Sequence, residues 1–135
     1  MSRLLAIDCG LRRVGIAVTD PERIIASPLI TISPQEVIPF LKKYCNEETV
    51  DKIIIGFPAD VAPKESIVLA IKKFYTILKG EMPNHNIILY DERFTSKIAF
   101  NTLKQLSNKK KKCKENLDKM SAAILLESYR NKENL

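Results

Sequence analysis

Residues 3–9, RLLAIDC, are apolar on both faces of an extended chain. A strand of that kind belongs in the middle of a sheet. The run nevertheless ends in a carboxylate, Asp8. A buried strand gains nothing from an unpaired Asp, because desolvating the charge is costly without a partner or a metal. The chain therefore has to supply both a sheet around this strand and a reason for Asp8.

The sheet is legible in the order of the segments. Residues 10–13 make a turn, and VGIAVTD (14–20) reads as a strand returning antiparallel. Residues 24–32 give a third strand, with Pro28 requiring an edge position or a bend. SPQE (33–36) is a capping box with Pro at the first helical position, while Pro39 predicts a helix that kinks or starts later. KIIIGFP (52–58) reads as a short buried strand, 64–78 as a helix of about four turns, and NIILYDE (86–92) as another strand. A helix near 95–106, a lysine-rich loop at 107–114 and a last helix over 115–130 complete the chain. The expected fold class is α/β, with an antiparallel three-strand meander at one edge of a mixed sheet and alternating helices and strands after it. No repeat or linker interrupts it, so one domain is expected over residues 1–135.

Composition removes several function classes. No signal peptide is expected, since Asp8 cuts the first apolar run short, and no segment reaches the roughly 20 apolar residues of a membrane span. Cys9, Cys45 and Cys113 are odd in number and far apart, which points to a reducing cytoplasm and away from a disulfide framework or zinc site. His85 is the sole histidine, so imidazole chemistry is disfavoured. The net charge is +6, and residues 91–135 contribute +5 of it. That basic end hints at a polyanionic partner, usually nucleic acid.

Three further carboxylates stand out. Asp91 and Glu92 close the apolar run NIIL. On the last helix, with about 100° per residue, Ser121, Ile124, Leu125 and Tyr129 fall on one arc with Leu117. Asp118 lies inside that arc, between Leu125 and Tyr129, and Lys119, Ala123, Glu127 and Arg130 form the wetter face. An Asp near a helix start also serves as a cap and suits the dipole. Clustered inward acids, however, need protonation or a cation between them. With oxygen ligands alone the natural ion is Mg²⁺ or Mn²⁺, which beside a basic surface suggests phosphoryl-transfer chemistry on nucleic acid.

AIDCGLRRVGIAVTD, IIIGFP, DERFTS and DKMSAAILLESY together resemble the YqgF/RuvX family, in order and in spacing, over nearly the whole chain. Its members are RuvC-like proteins of the RNase H superfamily, described as Holliday junction resolvases or as nucleases that mature precursor 16S rRNA. The resemblance implies an RNase H-like fold. It places the family's D-x-G on Asp8 and Gly10, its basic pair on Arg12 and Arg13, and its D-E-R on Asp91, Glu92 and Arg93. The last acid falls on Asp118, ahead of Ala122 and Ala123. It implies Asp8, Glu92 and Asp118 as catalytic, metal-holding residues, with Asp8 bridging two ions in a two-metal site. Arg12, Arg13, Arg93 and the loop lysines Lys109, Lys110, Lys111 and Lys112 are the expected nucleic-acid contacts. The chain departs from the pattern after GFP, where ADVAPKES replaces the usual Asp-Gly turn.

The expectation is a metal-dependent nuclease that processes precursor 16S rRNA ends, in contact with ribosomal subunit precursors, as a monomer or weak homodimer away from membranes. Branched DNA is the alternative substrate, and a catalytically silent assembly factor the alternative class. An actin-like or sugar-kinase-like phosphotransferase uses a similar D-x-G turn, but needs two such domains.

Overall fold

The computed structural model describes residues 2–9, 12–56, 65–90 and 114–133, apart from the side chains of 65, 67, 114–119 and 133. Five strands form one sheet: β1 (Arg3–Cys9), β2 (Val14–Thr19), β3 (Ala26–Ile32), β4 (Val50–Gly56) and β5 (Asn86–Tyr90), in the order β3-β2-β1-β4-β5. β1, β2 and β3 pair antiparallel, whereas β1–β4 and β4–β5 are parallel. The strand that is apolar on both faces is thus the central one. Pro28 sits on the edge strand β3, where its missing N–H costs no ladder bond. Both of its expected accommodations occur, because the β2–β3 register also shifts there, from Ile16↔Ile30 to Ala17↔Pro28.

Period-two alternation sends the two faces of β1 to different cores. Leu5, Ile7 and Cys9 join Val14, Ile16, Ile53 and Ile55 under α1 (Val37–Glu47) and α2 (Glu65–Glu81). Leu4 and Ala6 join Ala17, Ile54 and Tyr90 under α3 (Lys114–Glu133). Each helix buries a stripe at helical spacing: Val37 and Leu41 on α1, Ile71 and Leu78 on α2, Ala122, Leu125 and Leu126 on α3.

Two local expectations change. The capping box is not formed: the Ser33 hydroxyl donates to the Glu36 carboxylate at 2.6 Å, and no side chain caps a backbone N–H there. A short 3₁₀ turn, Pro34–Glu36, comes first and α1 starts at Val37. Pro39 then lies in the first turn of α1, where an N–H would have no helical acceptor. On α3, Leu126 is fully buried while Ile124 is half-buried, so the buried stripe is rotated away from Ile124. Among the described residues no helix is long and apolar enough to cross a membrane. The helix expected at 95–106 lies outside the described residues, as does the expected loop 107–114 except for Lys114, which opens α3.

Candidate active site

Asp8 is half-buried near the end of β1 and alternates with Ala6 and Leu4, so it belongs to the α3 face. Its register partner on β2 is Gly15, and on β4 it is Gly56. Register partners share a face, so the carboxylate stands between two positions that have no side chain. Beyond them in the same row lie Thr31 on β3 and Tyr90 on β5. The central strand thus presents one carboxylate between two register neighbours that carry no side chain.

Helix α3 accounts for one of those glycines. A Cβ built on Gly56 would lie 2.1 Å from Leu125 Cδ2 and 2.7 Å from Cδ1. Real carbon atoms do not approach so closely, so the helix is seated against bare backbone there. Lower on α3 the contacts shift toward the opposite end of the sheet. Lys52 Nζ lies 5.9 Å from the Tyr129 ring centroid. Arg130 is bonded to Glu127, which raises its pKa, and the charge of Asp20 adds to the rise. Asp20 follows β2, whose last residue Thr19 accepts the Leu4 N–H at 2.9 Å on Oγ1. The helix therefore descends from the Asp8 edge, and its first turns, including position 118, are at that edge. Position 118 is the fifth residue of α3, on the stripe of Ala122, Leu125 and Tyr129.

Tyr90 closes the row on β5. Its ring is 6% exposed, packs edge-on to Tyr129 with centroids 5.2 Å apart, and its hydroxyl lies 3.4 Å from Ser128 Oγ. Asp91 and Glu92 follow it directly in the sequence.

The donor set near Asp8 is hard. Cys9 faces the other core, and burial pushes its thiol up to about 12, with the charge of Asp8 adding to the rise. A protonated, oppositely directed thiol is no ligand or nucleophile. Arg12 is exposed and Arg13 half-buried, both in the β1–β2 connection at the Asp8 edge. Glu92, Arg93 and Lys109 to Lys112 lie outside the described residues, as does the side chain of Asp118. Among the described residues no three His, Cys, Asp or Glu side chains come together as a metal site. A cavity of about 280 Å³ lined by Lys42, Cys45, Glu81, Met82 and His85 opens on the α1/α2 side, away from Asp8. The two flanking glycines were missed in the sequence. Their only signal was their place in the VGIAVTD and IIIGFP motifs.

The family model described as "RuvX: Holliday junction resolvase" matches residues 2–132. The chain belongs to this family. It is 45% identical over 132 residues to a protein of Amoebophilus asiaticus named "putative pre-16S rRNA nuclease", covering 96% of this chain and 94% of that one. A Flavobacterium psychrophilum protein of the same name is 44% identical over 133 residues, covering 96% of both chains. Among solved structures, Thermus thermophilus RuvC in complex with a Holliday junction substrate superposes with a TM-score of 0.60 at 10% identity, covering 98% of this chain and 96% of that one. The RuvX-family chain therefore has the RNase H-like fold of RuvC.

Proposed function

We propose that this chain is a metal-dependent nuclease of ribosome maturation that hydrolyses phosphodiester bonds at immature 16S rRNA ends. The observation that carries the proposal is Asp8 on the central strand, flanked by Gly15 and Gly56 and approached by the start of α3. No side chain of β2 or β4 stands beside the carboxylate in its own row, and Leu125 of α3 seats the helix over Gly56. The all-oxygen character of this face suits Mg²⁺ or Mn²⁺. Asp8, Glu92 and Asp118 are the residues assigned to hold such ions, which when bound supply positive charge to the phosphoryl group in the transition state. Arg12 and Arg13 are assigned to the phosphates on either side of the scissile bond, through charge-assisted hydrogen bonds. Arg93 and Lys109 to Lys112 are assigned to the flanking backbone. The relatives' names favour rRNA, and the family's description keeps a four-way DNA junction as the second substrate to test.

The test offers both substrates side by side, with Mg²⁺ or with EDTA, to the wild type and to Asp8→Asn. Metal-dependent cleavage of the rRNA precursor, lost in Asp8→Asn while the fold is retained, is the expected result. Undiminished cleavage by a well-folded Asp8→Asn would end the assignment. Cleavage of the junction alone would move the substrate to branched DNA.

A further inference from the structure

Four cations of the described surface are neutralised where they stand. Arg3 pairs with Glu48 at 3.4 Å, Arg23 with Asp51 at 2.6 Å, Lys42 with Glu81 at 3.3 Å, and Arg130 with Glu127. The outer face of α2 is different. Its exposed residues from Ser66 to Glu81 are Ser66, Leu69, Ala70, Lys72, Lys73, Thr76, Ile77, Lys79, Gly80 and Glu81, and the one carboxylate among them, Glu81, is paired with Lys42 of α1. Lys72 and Lys73 have no ion-pair partner among the described residues. Lys79 is held up by Tyr75, with Nζ 5.1 Å from the ring centroid and donating to the hydroxyl at 3.3 Å. Lys72 and Lys79 are seven residues apart, about 10 Å along one side of the helix.

Connectivity fixes where this face begins. β4 ends at Gly56, the register partner of Asp8, and β4 and β5 are parallel. The connecting helix must return from the C-terminal edge of the sheet to its N-terminal edge. α2 therefore starts at the Asp8 edge and leads away from it over the face opposite α3. The inner side of the helix is committed to the core through Ile71 and Leu78, which leaves the lysines outward.

We propose that the outer face of α2 is a second phosphate-contact surface, where Lys72, Lys73 and Lys79 hold a nucleic-acid strand that extends past the Asp8 edge. This rests on the nuclease reading and adds a surface to it. Lysines contribute charge and no base readout, so the contact is sequence-independent. Leu69 and Ile77 are 59% and 45% exposed on the same helix and give a phosphate backbone nothing to bind. They serve as the internal control.

The experiment measures binding of a labelled mixed-sequence single-stranded RNA over a salt series in EDTA, so that cleavage does not intervene. The proteins are the wild type, Lys72→Ala/Lys73→Ala/Lys79→Ala, and Leu69→Ser/Ile77→Ser, with circular dichroism confirming each fold. The lysine variant is expected to bind every sequence more weakly, with a slope of log affinity against log salt shallower by up to about 2. The apolar variant is expected to keep the wild-type slope and affinity. An unchanged slope in the lysine variant, or a loss confined to the apolar variant, overturns the proposal. The second result would mark the face as a protein-docking surface. A wild type that binds no RNA would instead refute the nuclease reading itself.

Discussion

Gly56→Ala tests the contact that seats α3 beside Asp8. In a strand, replacing Gly with Ala normally stabilises, by about 0.4–1 kcal/mol, because the unfolded chain loses freedom. Here the new methyl would lie 2.1 Å from Leu125 Cδ2, 2.7 Å from Cδ1 and 2.9 Å from Cγ. Carbon contacts settle near 3.5 Å, so Leu125 must retreat by about 1.4 Å. It has nowhere to go, being 4% exposed and enclosed by Leu4, Ala6, Ile54, Tyr90 and Leu126. Overpacking of this kind costs about 1–3 kcal/mol. Leu125→Ala alone opens a cavity and costs about 2–5 kcal/mol. In that background the clash is absent, so adding Gly56→Ala should be neutral or stabilising. The sign of the Gly56 effect therefore reverses with the residue at 125. Equilibrium urea unfolding of the four proteins measures it, followed by far-ultraviolet circular dichroism because the chain has no Trp. With slopes of about 1–3 kcal/mol/M, the single variants should shift by close to 1 M. Additivity within about 0.5 kcal/mol would refute the reasoning, as would a stabilised Gly56→Ala in the wild-type background.

Asp118→Asn should leave the protein unchanged or more stable in EDTA, since it removes a like charge from the acids at the Asp8 edge. It should also lose most of the stabilisation that millimolar Mg²⁺ gives the wild type. Thermal unfolding with a loss in EDTA and an undiminished Mg²⁺ gain would return Asp118 to a capping role. Asp20 accepts the N–H of Ile25 at 2.7 Å and of Ile24 at 2.8 Å, and these bonds, Ile25 first, hold its carboxyl below the ordinary 3.8. A depressed folded value means that its contribution is present above about pH 4 and is lost as the pH falls through the folded value. Asp20→Asn should therefore flatten the acid limb of stability against pH, and an identical limb in urea titrations would refute this. Cys9, whose thiol burial pushes up to about 12, should react with a disulfide reagent at pH 8 at least about tenfold more slowly than an unperturbed thiol. Labelling kinetics with Cys45 and Cys113 replaced by Ser would expose a faster Cys9.

The sequence by itself determined the elements and their order, because those depend on local periodicity and punctuation. RLLAIDC had to be central, Pro28 required an edge or a bend, and the inconsistent run SPQEVIP required a helix that kinks or starts late. The carboxylates, too, were visible as residues out of place. Tertiary structure decided what surrounds Asp8. Gly15 is close in sequence, but Gly56 reaches Asp8 only through parallel pairing of β1 with β4, and no local preference encodes that register. The seating of Leu125 against Gly56 is a shape match between segments nearly 70 residues apart. The lysine-bearing face of α2 was hidden for a related reason. Charge counted along the chain averages over a helix, whereas the fold buries one side of it and leaves Lys72, Lys73 and Lys79 together on the other.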